Sequence, residues 1–248
     1  MKLIFLGTNG WYSTHNNTIC TLIDSENFYV IFDAGDGLHK LDMYINENKP
    51  IILFLSHTHL DHIIGFHILS KFRFKQSFNI IGYSGIKEAL NNIIRHPYTS
   101  SLKNLSYKIE ISEVDEGDYE NPIPFSCRLL IHSDDCLGFR INLENKIITY
   151  CTDTGVCDAL YELSKDADLL ISECSYKKGQ EEWGWPHLKP EEIAHIAHKS
   201  NVKTLILTHF DASIFPSLES RVEFGNKAIR IFKNTMTVND GFEMNLQG

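Results

Sequence analysis

Three histidines and one aspartate occupy a six-residue span within the stretch FLSHTHLDHIIG, residues 54–65. They are His57, His59, Asp61 and His62. A chain of this length and composition would contain the spacing His-x-His-x-Asp-His by chance only about 0.002 times. Several imidazoles on one side of an extended segment do not suit an apolar core and are not needed at a surface. Imidazole and carboxylate groups are metal ligands, so the motif predicts a metal site with further ligands elsewhere in the chain.

Three further candidate ligands follow strand-like runs. His132 follows CRLLI, Asp153 follows KIITYCT and His209 follows KTLILT. The ends of buried strands hold side chains rigidly at one edge of a sheet, where they can meet. Alone, His132 or His209 would more often be a structural histidine, but together with the first motif they are predicted ligands. Five histidines and two aspartates can ligate two ions, and Asp153 can bridge them with one oxygen on each.

The rest of the sequence indicates the elements that must position these residues. Continuous apolar runs such as IILFL and TLILT are typical of strands buried on both faces. The predicted strands are 2–6, 19–23, 28–32, 51–55, 78–82, 107–111, 125–131, 137–142, 146–152, 168–172 and 202–208. The predicted helices are 36–47, 61–71, 84–95, 156–165, 190–199 and 217–232, and the polar stretch 113–124 is a predicted loop. This interleaving predicts one α/β domain over residues 1–248.

The composition is that of a globular protein, with 43% apolar and 22% charged residues. No apolar run approaches the roughly 20 residues that span a bilayer. The N-terminal stretch MKLIFLGTNG has too short an apolar part for a signal peptide and is interpreted as the first strand. We therefore expect a cytoplasmic protein with no membrane partner. The six cysteines form no C-x-x-C pair and are expected to be free, as small apolar side chains.

The charge balance argues against a dedicated nucleic-acid binder. The net charge is −9, and the only dense basic cluster is KFRFK, Lys71 to Lys75, which we interpret as a solvated helix end. A polyanionic partner usually meets clustered lysine and arginine. Extended nucleic acid is therefore a less favoured partner than a small molecule.

Four motifs taken in order, SHTHLDH, IHS, TDTG and LTHF, closely resemble those of the metallo-β-lactamase fold superfamily of dinuclear metal hydrolases. The resemblance runs from FLGTNG near the start to LTHF at 207–210. It implies an αββα sandwich, in which two packed mixed β-sheets are flanked by helices and the metals lie at one sheet edge. It also implies a ligand set for each of two ions. One ion would take His57, His59 and His132, the other Asp61, His62 and His209, and Asp153 would bridge them.

Within the superfamily, the chain looks most like the phosphodiesterase and tRNase Z branch. GTNGWYSTHNNT is similar to the glycine turn of that branch, and FDAGDG, 32–37, is similar to a motif whose aspartate supports the metal loop. SECSY and PHLKPEE resemble the segments in which a carboxylate and a histidine flank the reacting phosphate. Two features depart from the branch. Lys189 stands where relatives often have a threonine, and only 20 residues separate His132 from Asp153.

The resemblance implies hydrolysis assisted by two divalent ions, with zinc favoured and manganese or iron also suited to imidazole and carboxylate ligands. Asp61 would accept a proton from the attacking water. His187 is the candidate donor of the leaving-group proton, and Glu173 would orient its imidazole. Without the resemblance, His187 would be interpreted as an exposed loop histidine, and Glu173 could equally form a structural salt bridge.

The expected function is that of a phosphodiesterase acting on a small or cyclic phosphodiester or a nucleotide. Three alternatives remain open. They are an RNA-processing nuclease similar to tRNase Z, an ester, lactone or thioester hydrolase, and a metal-containing ligand-binding effector with little turnover. A homodimer is compatible with all of these readings.

Overall fold

The computed structural model describes residues 1–177 and 185–246, and in this part of the chain two sheets pack face to face with helices on their outer sides. This confirms the predicted αββα sandwich. The strands are β1 Lys2–Gly7, β2 Asn9–Gly10, β3 Cys20–Asp24, β4 Tyr29–Phe32, β5 Ile51–Phe54, β6 Phe78–Tyr83, β7 Ile109–Val114, β8 Gly117–Tyr119, β9 Phe125–Leu129, β10 Leu137–Leu143, β11 Lys146–Cys151, β12 Leu169–Glu173, β13 Thr204–Thr208, β14 Phe210–Asp211, β15 Thr235–Thr237 and β16 Glu243–Asn245. The α-helices are α1 Leu60–Ile63, α2 Ile86–Ile93, α3 Asp158–Ser164, α4 Pro190–Lys199 and α5 Leu218–Ile231, and 3₁₀ segments span Asp36–Met43, Ile64–Lys71 and Leu102–Asn104.

Both large sheets are mixed. The first has the order β16-β1-β3-β4-β5-β6-β7 and is parallel from β4 to β7. The second has the order β15-β13-β12-β11-β10-β9-β8 and is parallel from β15 to β11. The short strands β2 and β14 pair in parallel and join the N-terminal turn to the segment that follows β13. Six of the seven predicted ligands follow β5, β11 and β13 and gather at the carboxyl ends of parallel strands, whereas His132 follows β9, which pairs antiparallel with its neighbours.

Apolar side chains pack in three layers, one between the two sheets and one on the outer face of each sheet. Between the sheets, the rings of Phe32 and Tyr150 stack with centroids 4.6 Å apart, and Phe54 packs on Phe139 at 5.0 Å. The 3₁₀ segments and α2 cover the outer face of the first sheet, and α3, α4 and α5 cover that of the second. Central strands are therefore buried on both faces, which is why their sequences are continuous apolar runs.

The predicted helices 36–47 and 61–71 are largely 3₁₀ instead of α-helical. In 61–71 the backbone explains the difference, because Ala34 binds two groups that an α-helix would pair within itself. Its N–H donates to the carbonyl of His62 at 2.8 Å, and its carbonyl accepts from the N–H of Gly65 at 2.8 Å. A Cβ on Gly65 would lie 2.3 Å from the carbonyl oxygen of Gly35, so only glycine permits this close approach.

The remaining local predictions concern the loop 113–124, helix α4, the cysteines and membrane-spanning segments. The predicted loop 113–124 contains the short edge strand β8, which its polar sequence does not signal. His195 and His198 are exposed on α4, as predicted. At the start of that helix the backbone N–H of Lys189 donates to Oε2 of Glu192 at 2.9 Å, and the backbone N–H of Glu192 donates to the carbonyl of Lys189 at 3.1 Å, so both donors are bonded without a threonine side chain. All six cysteines are free, and no helix among the described residues is long and apolar enough to cross a membrane.

Candidate metal centre and proton donor

A buried carboxylate holds the histidine-rich loop in place. The loop leaves β5 at Phe54, runs extended to His59 and enters α1 at Leu60. Asp33, which follows β4, accepts hydrogen bonds from the backbone N–H of Ser56 at 2.8 Å and from its hydroxyl at 2.9 Å. Asp33 also binds Nδ1 of His62 at 2.8 Å. This is the supporting role that the resemblance of FDAGDG implied.

The first cluster consists of His57, His59 and His132. Nε2 of His57 lies 2.8 Å from Nδ1 of His59, which lies 3.2 Å from Nε2 of His132. His132 reaches this position from the loop after β9. Ligands of a tetrahedral ion with bonds of about 2.1 Å stand about 3.4 Å apart, so the second distance is close to that of two ligands of one ion and the first is shorter.

The second cluster consists of Asp61, His62 and His209. Nε2 of His209 lies 3.1 Å from Nε2 of His62 and 3.3 Å from Oδ2 of Asp61. Oδ2 of Asp61 is 3.5 Å from Nε2 of His62. All three separations, 3.1 to 3.5 Å, are close to the distance between two ligands of one ion.

Asp153 lies between the two clusters. Its Oδ2 is 3.6 Å from Nε2 of His57 and 3.4 Å from Nε2 of His62, and its Oδ1 is 3.1 Å from Nε2 of His209. Asp153 and His209 both have positive φ, 49° and 50°, which costs free energy in a residue other than glycine. The turn after each strand therefore holds a strained backbone that aims the side chain at the centre. The structure thus brings all seven predicted ligands together.

Hydrogen bonds behind the rings of His62 and His209 place a proton on Nδ1, so Nε2 of each ring presents a lone pair in the neutral form. The Ser175 hydroxyl donates to the carbonyl of His209 at 2.7 Å, so it accepts from the Nδ1–H of the same residue at 3.1 Å. Asp33 fixes the proton of His62 on Nδ1 in the same way. Two bare Nε2 atoms 3.1 Å apart repel each other unless a cation or a proton lies between them. The donor set therefore fits a divalent ion.

Charge and burial act differently on the two clusters. Burial lowers the pKa of His57, His59 and His132, so these rings are neutral and offer lone pairs at neutral pH. Burial also disfavours the charged forms of His62 and His209, but the nearby Asp153 and Asp61 carboxylates outweigh it and raise both pKa values. A cation entering the second cluster would thus displace a proton.

A histidine–carboxylate pair stands beside the clusters. Nδ1 of His187 lies 2.9 Å from both carboxylate oxygens of Glu173, which is fully buried and also accepts from the backbone N–H of Thr154 at 2.6 Å. The His187 ring centre is 5.5 Å from that of His132 and 6.1 Å from that of His209. Burial lowers the pKa of His187, but the charge and hydrogen bond of Glu173 outweigh it and raise this pKa to about 9.

Several residues that shape the site carried no sequence signal for that role. Trp11 has a φ of 70°, and its backbone N–H donates to Oδ2 of Asp61 at 2.8 Å. The hydroxyl of Tyr150 donates to Oδ2 of Asp33 at 2.7 Å across the sandwich. Ser56 and Ser175 lie inside quoted motifs, but their contacts depend on how distant strands meet. Trp183 and the rest of 178–184 lie outside the described residues.

Comparison with known proteins agrees with this geometry. Residues 29–210 match the family model described as "Beta-lactamase superfamily domain". Ribonuclease Z of Methanosarcina acetivorans is 25% identical over 311 aligned positions, covering 99% of this chain and 98% of that protein. The probable metallo-hydrolase YhfI of Bacillus subtilis is 27% identical over 216 positions, covering 84% of this chain and 86% of that protein.

Solved structures share the fold over the whole chain. The metallo-beta-lactamase fold protein YhfI from Bacillus subtilis superposes with a TM-score of 0.79 and 21% identity, covering 98% of each chain. Human tRNase Z, short form, superposes with a TM-score of 0.76 and 19% identity, covering 100% of each chain. The chain therefore belongs to the beta-lactamase superfamily and is a metal-dependent hydrolase of that fold, with sequence similarity to a ribonuclease Z.

Proposed function

We propose that the chain is a dinuclear phosphodiesterase that hydrolyses small phosphodiesters, such as cyclic phosphates or nucleotides, with zinc as the favoured ion. The observation that carries this proposal is the position of the His187–Glu173 pair beside two clusters of candidate metal ligands, with Asp153 between them. Phosphodiester hydrolysis needs charge neutralisation, an attacking water and a proton for the leaving oxygen. The two ions would neutralise charge and activate the water, and His187 would supply the proton.

His57, His59 and His132 would hold one ion, Asp61, His62 and His209 the other, and Asp153 both. Bound there, the two cations would polarise a phosphoryl oxygen and lower the pKa of water. Burial raises the pKa of Asp61, but the charges of His62 and His209 outweigh it and keep this carboxylate ionised. Asp61 is therefore able to accept a proton from the attacking water, and the Trp11 backbone N–H fixes its orientation.

His187 supplies the proton on the leaving side. Its raised pKa keeps the imidazole protonated at neutral pH, and Glu173 holds Nδ1 so that Nε2 is left to face the substrate. A positioned general acid contributes roughly 10²–10⁴ to the rate when the leaving group is a poor one. The same pair would allow the site to hydrolyse phosphodiesters of ordinary alcohols as well as activated esters.

The preference for small substrates rests on the region between His132 and Asp153. It contains β10 and β11, joined by a two-residue turn at Glu144 and Asn145, both with positive φ. There is no protruding arm in this interval. The alignment with Ribonuclease Z spans 311 positions, so at least 63 of them have no counterpart in these 248 residues.

An RNA-processing nuclease is the second candidate, and the names of the relatives favour it. Ribonuclease Z of Methanosarcina acetivorans and human tRNase Z are similar to this chain over nearly their full length. The net charge of −9 weighs against a long polyanionic substrate.

A substrate panel tests the proposal. Purified protein, stripped of metal and then supplied with Zn²⁺ or Mn²⁺, would be assayed on bis(p-nitrophenyl) phosphate, a 2′,3′-cyclic nucleotide, a lactone and a tRNA precursor. Metal-dependent turnover of the first two is the expected result. Turnover of the lactone alone, or of the tRNA precursor alone, would replace the proposal with the corresponding alternative.

A further inference from the structure

An exposed tryptophan lies directly against the first cluster. The indole of Trp185 has its centroid 5.0 Å from the ring of His59 and 6.0 Å from that of His132. The residue is 48% exposed, so about half of it remains open to solvent beside the candidate ligands. Its backbone carbonyl accepts a hydrogen bond from the hydroxyl of Tyr176 at 2.8 Å, which anchors the segment that carries the ring.

Other large apolar side chains adjoin ligands along the chain and are also exposed. Leu60 stands between two ligands and is 63% exposed, Ile131 precedes His132 and is 52% exposed, and Val156 follows the Asp153 turn at 49%. Single exposed apolar residues are ordinary. Ile131 also lies near the segment that carries Trp185, because a Cβ placed on Gly155 would be 3.8 Å from Cγ2 of Ile131 and 3.2 Å from Cβ of Pro186. An exposed apolar side chain next to the indole is suited to the apolar part of a substrate.

Carboxylates and histidines are the charged neighbours that dominate at the centre. The groups that act most strongly on His59, His132 and His187 are carboxylates and other histidines. Neither a lysine nor an arginine is among these strongest neighbours of the described site. Recognition beyond the reacting phosphate would therefore depend on shape and stacking more than on cationic contacts.

We propose that Trp185 forms one wall of a subsite that stacks a nucleobase, or a similar flat aromatic group, attached to the scissile phosphate. The inference rests on the proposed phosphodiesterase function and narrows its substrate class to nucleotidyl phosphodiesters. An indole presents a flat π-face that accepts any base, and stacking of one base on an aromatic side chain strengthens binding about 5- to 150-fold.

A binding measurement tests the subsite without requiring turnover. Zinc-loaded protein would be titrated with AMP and with ribose 5-phosphate, which carries the same phosphate and no base. We expect wild-type protein to bind AMP about fivefold or more tightly. Trp185→Leu should abolish this preference, whereas Trp185→Phe, which keeps a flat ring, should retain most of it. Equal binding of the two ligands by wild-type protein would overturn the subsite.

Kinetics with a matched pair of esters separates the subsite from the proposed function. Thymidine 5′-(p-nitrophenyl phosphate) and methyl p-nitrophenyl phosphate share a leaving group and differ in the base. Trp185→Leu should raise KM for the first and leave kcat/KM for the second unchanged, with metal content as in wild type. Equal losses on both esters, with metal lost, would assign Trp185 a packing role and overturn the subsite.

Another exposed aromatic side chain serves as the control. Tyr98 is 73% exposed, and Tyr98→Leu removes its ring as Trp185→Leu removes the indole. This variant should retain the preference for AMP, and loss of the preference here instead of at Trp185 would also overturn the assignment. If AMP is preferred but neither ester is hydrolysed, the phosphodiesterase function fails and the subsite stands. If both esters are hydrolysed with the same KM, the phosphodiesterase function stands and the subsite fails.

Discussion

Gly10 lies directly against the imidazole of His209. A Cβ placed on Gly10 would be 2.5 Å from Cε1 and 2.8 Å from Nδ1 of that ring, closer than real side chains approach. The pairing of β2 with β14 brings the two residues together, since Asn9 pairs with Phe210 and Gly10 with Asp211. The N-terminal turn thus forms a rigid wall behind the second cluster.

Gly10→Ala should therefore displace His209 and weaken the second cluster. Loss of a residue that orients a ligand typically lowers metal affinity about 10- to 100-fold. We expect the purified variant to lose metal from one of two positions, measured by elemental analysis and by titration with Zn²⁺. Gly117→Ala is the matched control, because an added Cβ there meets only the Tyr119 side chain, at 3.3 Å. Unchanged zinc affinity in Gly10→Ala would contradict this account of His209.

Asp153→Ala should lower metal occupancy at both positions. The carboxylate faces Nε2 atoms of both clusters at 3.1 to 3.7 Å and supplies a negative charge that offsets two dications. His209→Ala provides the comparison, because it removes a ligand from the second cluster only. Elemental analysis measures the number of metal ions bound per chain. We expect metal to be lost from both positions in Asp153→Ala and from one position in His209→Ala. A variant of Asp153 that kept two tightly bound ions would refute the bridging role.

The ligand set could be predicted from sequence because its residue types are rare and recur where apolar runs end. His57 and His209 each follow such a run, and parallel strands deliver their carboxyl ends to one edge. The supporting contacts could not be predicted in the same way. Tyr150 reaches Asp33 from the opposite sheet, and Gly10 meets His209 through a two-residue strand pair. Such contacts depend on how the two sheets are packed, which no local pattern encodes.

The helical stretches predicted near the site are confirmed, but their largely 3₁₀ geometry could not be predicted, for a related reason. The apolar spacing in 61–71 is helical, but backbone bonds to Ala34 divert the His62 carbonyl and the Gly65 N–H from an α-helical ladder. The extended positions of His57 and His59 followed from the motif itself. The departure to 3₁₀ geometry followed from a neighbouring turn 30 residues away, at which Gly35 and Gly65 touch.

Precursor tRNA should be a poor substrate. The hairpin of β10 and β11 leaves no arm between His132 and Asp153, and the chain carries a net charge of −9. Zinc-loaded protein should hydrolyse small phosphodiesters while releasing little 3′ trailer, as resolved on a sequencing gel. The comparison enzyme would be a ribonuclease Z on the same precursor. Efficient trailer removal at one defined position would refute the substrate assignment.

His187→Ala should affect substrates according to their leaving groups. An alkoxide needs a proton as it leaves, whereas p-nitrophenoxide does not, so turnover of alkyl phosphodiesters should fall about 10²–10⁴-fold and that of p-nitrophenyl esters much less. Glu173→Gln should show the same pattern more weakly, because the imidazole remains but loses its charged partner. Elemental analysis should find both metals retained. Equal losses on both substrate types would indicate that His187 binds the phosphate instead.

The pH dependence of alkyl phosphodiester turnover should follow the same pair. A general acid acts in its protonated form, so activity is present below the pKa of His187 and is lost as the pH rises through it. Glu173 raises that pKa to about 9, and bound cations act in the opposite direction, so the falling limb should lie at or below about pH 9. Glu173→Gln removes the charge that favours the imidazolium and should move the limb to lower pH, toward the usual histidine value of about 6.5. The p-nitrophenyl esters, which need no proton, provide the internal reference, and their rate should lack this limb. A falling limb that is the same for both substrate types, or that stays in place in Glu173→Gln, would assign the titration to another group.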